Sequence, residues 1–323
     1  LLMLWVVGGG LALCGALAYG ELGAALPRSG GEYHLLSRIY HPALGFLAGW
    51  ISATLGFAGP IALAAIAFGE YTTAVFPTLS AQHLAAGIVI VSSIIHGTSV
   101  KLGSQFQNLF TGIKVLLIVL FIGAALAVDA PQPIALWPTG EGLSEMVTPG
   151  FAVSLVFVSY AYIGWNASVY IVGEIKNPNR NLPRSLLLGT LLVTVLYVLL
   201  NFAFLYTVPM GEMAGRVEVG YVSGVAVFGE LGGQVMSMLI AVVLISTVSA
   251  MVFLGPRITQ AMGEDVPALR WLALTSERDI PVVSVLFQAV VALLFIYTST
   301  FEQVLIYAGF ILTLITSLTV AGV

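Results

Sequence analysis

Nine stretches of apolar residues, set apart by short polar punctuation, make up most of the chain. They are Leu1–Gly20, Gly45–Phe68, Leu84–Val100, Asn108–Val128, Thr148–Gly173, Ser185–Tyr206, Gly233–Leu254, Val282–Tyr297 and Phe301–Val320. Each matches or approaches the length a helix needs to cross a hydrocarbon core of roughly 30 Å at about 1.5 Å per residue. Between them lie clusters of proline, glycine and charge that cannot continue an apolar helix: P-R-S-G-G-E from Pro27, D-A-P-Q-P from Asp129, K-N-P-N-R-N-L-P from Lys176, and R-I-T-Q-A-M-G-E-D-V-P from Arg257. The pattern predicts an all-α polytopic membrane protein with about nine transmembrane helices in one domain, residues 1–323.

One stretch is not a plain spanning helix. Thr148–Gly173 carries no charge, yet near its middle it gathers Ser159, Tyr160, Tyr162, Gly164, Trp165 and Asn166. Polar, glycine-interrupted backbone is tolerated at membrane depth only where it is buried in protein or lines a cavity, because lipid cannot satisfy freed amides and carbonyls. Discontinuous helices of this kind hold the substrate in secondary transporters. A buried helix with an aromatic cluster would also fit these residues.

Composition agrees with a membrane protein. The chain is 59% hydrophobic and 8% charged, against about 25% charge in soluble domains. Cys14 is the single cysteine, so no disulfide framework or cysteine metal cluster is expected. His96 has no second ligand near it in the sequence. No Walker loop, zinc-protease helix or nucleophile elbow is present. An enzyme, a metal or other cofactor, and a nucleic-acid partner are therefore not expected.

Placement of charge orients the chain. Arg28, Arg38, Lys101, Lys176, Arg180, Arg184, Arg257, Arg270 and Arg278 all fall in alternate loops, whereas the other loops hold only Arg216 and Lys114 lies inside an apolar stretch. The positive-inside rule then makes the loops at 20–44, 101–107, 174–184 and 255–281 cytoplasmic, in the plasma or inner membrane. Glu32–Tyr40 is expected to form a short helix on the inner membrane surface.

Four motifs in order carry a resemblance. They are P-R-S-G-G-E-Y with G-F-L-A-G-W after it, V-K-L-G-S-Q-F-Q-N-L-F-T-G-I-K (Val100–Lys114), Y-A-Y-I-G-W-N through G-E-I-K-N-P-N-R-N-L-P-R (Tyr160–Arg184), and G-P-R-I-T-Q-A-M-G-E-D (Gly255–Asp265). Together they make the chain resemble the amino acid–polyamine–organocation permeases. The resemblance implies an inverted five-helix-repeat transporter fold, with this chain holding the family's second to tenth helices. On that expectation the chain is cut at both ends, and the first helix, whose glycine-rich break cradles the substrate carboxylate in the family, lies outside it.

The same resemblance implies a substrate site at Tyr160, Ala161, Tyr162, Ile163 and Gly164. Main-chain groups there would meet the substrate, with Tyr160 as an aromatic lid where relatives often carry Phe. Trp165 is expected to pack. Lys114 would place its ammonium where sodium-coupled relatives hold an ion, with Ser246, Thr247 and Ser249 supplying hydroxyls; a lysine reaching for the interface is the plainer alternative. The function implied is sodium-independent amino acid transport by alternating access, as a proton-coupled carrier or an exchanger. A polyamine or organic amine carrier, or a non-transporting sensor on the same fold, remains open here. The expected partners are a small amino acid and the lipid bilayer, with the oligomeric state unassigned.

Overall fold

The computed structural model describes residues 1–98, 101–129, 131–134, 140–276 and 280–323, with backbone alone for 101–110, 141 and 174. Besides short helical turns at Gly140–Glu145 and Met210–Met213, its helices, in chain order, are α1 (Leu2–Ala25), α2 (Glu32–Ile39), α3 (Pro42–Thr73), α4 (Ala81–His96), α5 (Lys101–Ala125), α6 (Pro149–Tyr162), α7 (Ala167–Tyr170), α8 (Pro178–Thr207), α9 (Val219–Leu254), α10 (Pro256–Asp265), α11 (Val282–Thr298) and α12 (Phe301–Val320). No strand occurs among the described residues. Five helical stretches are long and apolar enough to cross a membrane, beginning at Leu2, Pro42, Pro178, Val219 and Phe301, and four shorter apolar ones begin at Ala81, Thr111, Pro149 and Val282. These correspond one for one to the nine apolar stretches of the sequence.

The boundaries differ where polar residues continue a helix. Residues 101–107, expected as a loop, form the first turns of α5. The 174–184 segment is helical from Pro178, which sits at the first position of α8, where a missing N–H costs little; Pro183 lies inside the helix and leaves the carbonyl of Asn179 without its i→i−4 donor. Pro256 starts α10 in the same way. Conversely, α4 stops at His96; Ser99 and Val100, with the loop residue Arg278, lie outside the described residues. The short helix expected at 32–40 is α2.

Two of the long helices are irregular. Ser52–Ala58 of α3 winds as a π-helix. It precedes Pro60, whose ring nitrogen cannot donate to the carbonyl of Gly56, and π turns accommodate such a mismatch. In α9 the backbone reverses at Gly229 (φ 74), so that Gly224 packs against Gly233 and Met236.

Small side chains let the helices approach. Ala58, Ala62 and Ala65 of α3, Ala85 and Val89 of α4, Val248 and Val252 of α9, and Ala292 of α11 form one buried cluster. In membranes such packing replaces the hydrophobic drive that water supplies to soluble cores. A second cluster joins α1, α2, α7 and α8 through Ala16, Tyr19, Leu35, Val169, Leu182 and Leu186.

The basic loops meet at one end of the bundle. Arg28 forms a 2.8 Å ion pair with Asp265, the Tyr33 hydroxyl donates to the same carboxylate at 2.9 Å, and the amide of Gly173 donates to Ser29 Oγ at 3.2 Å. The hydrogen bond to Asp265 raises the pKa of Arg28 further. Burial, then Asp265, pushes Tyr33 up to about 12. At the opposite end, Gln82 donates to the carbonyl of Ile296 and the amide of Gln132 to that of Tyr206. Alternate loops thus share an end, as the Lys/Arg alternation requires.

Candidate substrate site at a broken helix

Helix α6 ends at Tyr162, and the chain turns through 163–166 before α7 resumes at Ala167. Gly164 makes the turn possible: its φ of 111° lies in a region that side chains rarely adopt. Within the turn, Ile163 N–H donates back to Tyr160 O and Ala167 N–H to Gly164 O. The carbonyl of Ala161 accepts from the Tyr197 hydroxyl of α8 at 3.0 Å.

The break faces a cavity of about 340 Å³ walled by α3, α6, α7, α9 and α12. Tyr160, Ala161, Ile163 and Gly164 line it, opposite Phe57, Pro60 and Thr247. Tyr162 does not. Its ring packs against Trp5 and Tyr197, and its hydroxyl donates to the carbonyl of Trp5 at 2.8 Å. Two residues on, a helix has turned through about 200°, so Tyr160 and Tyr162 look in opposite directions. Trp165 packs edge-on against Tyr19 on the far side of the break.

Lys114 is half-buried, and its Nζ donates to Thr247 Oγ1 at 2.8 Å. A second, mostly apolar cavity of about 300 Å³ lies on the other side of this pair, lined by Phe121, Leu200, Phe204 and Met236; Thr247 faces both. The neighbouring hydroxyls are not brought to Lys114. Ser249 pairs with His96 across α4 at 2.7 Å, and Ser246 is buried on a face that lines neither cavity.

One residue of the site escapes a reading of hydropathy. Glu32, the first residue of α2, is only 3% exposed and lines the cavity. Its Oε1 accepts from Asn166 Nδ2 at 2.7 Å and from the Tyr19 hydroxyl at 3.0 Å, and its Oε2 accepts from the Tyr170 hydroxyl. In sequence Glu32 reads as the first residue of a short helix on the membrane surface, beside a polar turn. The signal that could have found it is the Gly30–Gly31 pair before it: both have positive φ, and any side chain at Gly31 would collide with the Tyr170 ring. That close passage carries the start of α2 under the break.

A polytopic bundle with a helix interrupted at a buried cavity, an ammonium held against a hydroxyl beside it and an acid beneath it has the architecture of a membrane carrier rather than an enzyme. The sequence comparisons agree. A profile described as "Amino acid permease" matches residues 1–323, and the chain belongs to that family. It is 29% identical to the b(0,+)-type amino acid transporter 1 of Mus musculus, over 99% of this chain and 67% of that protein. It is 28% identical to the large neutral amino acids transporter small subunit 2 of Homo sapiens, over 99% of this chain and 62% of that protein.

Proposed function

We propose that the protein carries α-amino acids across a membrane by alternating access and without sodium, its basic loops facing the cytoplasm. The observation that carries this reading is the break at 163–166 opening on a cavity beside the Lys114–Thr247 pair. Backbone groups of Tyr160, Ala161 and Ile163 suit a substrate ammonium once the carbonyls of Tyr160 and Ala161 release the bonds they accept from the Ile163 amide and the Tyr197 hydroxyl, and the amides opening α7 suit negative charge. Gly164 is the pivot, and the Tyr160 ring closes over the substrate. The Lys114 ammonium supplies the positive charge that an ion would otherwise bring, with Thr247 as its partner.

The test is uptake of radiolabelled amino acids into proteoliposomes containing the full-length protein, with sodium and with choline in its place. Equal rates are expected. Lys114→Ala should lower uptake at least tenfold with normal expression. Lys114→Arg should rescue poorly, because a planar guanidinium does not reproduce a compact ammonium. Uptake that needs sodium, or an alanine variant with parental kinetics, contradicts the assignment of Lys114.

A further inference from the structure

Glu32 is a buried carboxylate with hydrogen-bond donors but no cation. Tyr19 of α1, Asn166 of the break and Tyr170 of α7 all point donors at it. The ion pairs Arg28–Asp265 and Arg216–Glu218 do not involve Glu32. The other groups around it are uncharged: Ser52 of α3 stands beside Tyr170, and Thr316 and Thr319 of α12 stand beside Tyr19. On α2 itself, Tyr33 and His34 lie with Arg28, Arg38 and Asp265 around a separate cavity that Glu32 does not line. A buried carboxylate with no cation beside it, on the wall of a carrier's cavity, is placed to take up positive charge from that cavity.

We infer that Glu32 is the proton-binding site of the carrier, loaded from the substrate cavity, and that its protonation loosens the broken helix. The inference rests on the transport reading above and adds the coupling ion to it. Size selects the proton. Three donors already occupy three of the roughly four acceptor positions of a carboxylate, and at 3% exposure an organic ammonium could reach the oxygens only by displacing them. A proton needs one lone pair.

The hydrogen bonds then change in a defined way. The proton, taken from water in the cavity, adds to one carboxylate oxygen, and a tyrosine hydroxyl that donated to that oxygen rotates to accept. The Asn166 amide nitrogen can only donate, so its bond passes from charge-assisted to neutral and loses about half its strength. That bond ties α2 to the break. Proton binding and movement of the substrate-bearing segment are therefore linked through this contact, beside the Tyr170 bond that also ties α2 to the broken helix.

The experiment uses the full-length protein in proteoliposomes, a mixture of radiolabelled proteinogenic amino acids, and an inward pH gradient of about one unit. With one proton carried per substrate, the unmodified protein should concentrate label about tenfold, the factor that one pH unit of driving force supplies. Glu32→Gln should equilibrate the label slowly without concentrating it. Tyr170→Phe, which removes a donor to the carboxylate, should move the pH midpoint of uptake to higher pH by about one unit, a shift that a merely structural role would not produce. Exchange of label with no response to the gradient in the unmodified protein overturns the proton assignment and leaves transport standing, even if Glu32→Gln does not fold. A tenfold accumulation retained by Glu32→Gln overturns it equally. Neither uptake nor exchange in the unmodified protein overturns the transport reading itself.

Discussion

Gly164→Ala separates backbone strain from side-chain obstruction at the break. A Cβ built on Gly164 meets nothing within 4 Å, so the substitution creates no clash. The φ of 111° is the difficulty. Residues held in such sparsely populated regions cost about 1–3 kcal/mol, and alanine also favours a continuous helix by about 1 kcal/mol over glycine. If the strain falls wholly on the substrate-binding conformation, affinity for amino acids should weaken by roughly fivefold to 150-fold. The assay is equilibrium binding of a radiolabelled amino acid to the purified full-length protein, with Gly164→Asn and Gly164→Leu beside the alanine variant. Asparagine tolerates positive φ better than alanine and should retain more affinity. Leucine should cost more than alanine, because it carries the same backbone penalty and its longer side chain also extends from a residue that lines the substrate cavity. Parental affinity in Gly164→Ala, or an asparagine variant weaker than alanine, would refute the strain argument.

Two further outcomes are expected. Tyr33→Phe removes the 2.9 Å bond to Asp265 and should destabilise the protein by about 1 kcal/mol at neutral pH in thermal unfolding. Because folding raises the Tyr33 pKa to about 12, the folded state holds this proton more tightly, so its contribution is intact below pH about 10 and is lost as pH rises from there to about 12; the phenylalanine variant should show a shallower loss of stability in that window. For orientation, the exposed Cys14 is first replaced by serine, after which single cysteines at His41 and Asn179 should react with an impermeant maleimide only from the cytoplasm, and one at Thr78 only from outside. Labelling of either of the first two from outside would invert the assignment.

Hydropathy, glycine placement and the alternation of Lys and Arg were enough to determine the number of apolar helices, which loops share an end, and where the fifth apolar stretch is interrupted, at Tyr160–Asn166. These are properties of position along the chain, set by the length a bilayer demands and by the cost of unpaired backbone in lipid. Tertiary structure decided which side chains meet. Thr247 and Ser249 are two residues apart, so their directions differ by about 200° around α9; the bundle gives one to Lys114 and the other to His96. Tyr160 and Tyr162 divide in the same way between the cavity and the Trp5–Tyr197 cluster. Glu32 was the least legible residue of all. Its neighbours in sequence are a polar turn, and only the close passage of Gly31 over the Tyr170 ring takes its carboxylate out of water and beneath Asn166, because burial depends on what the rest of the bundle places around a residue.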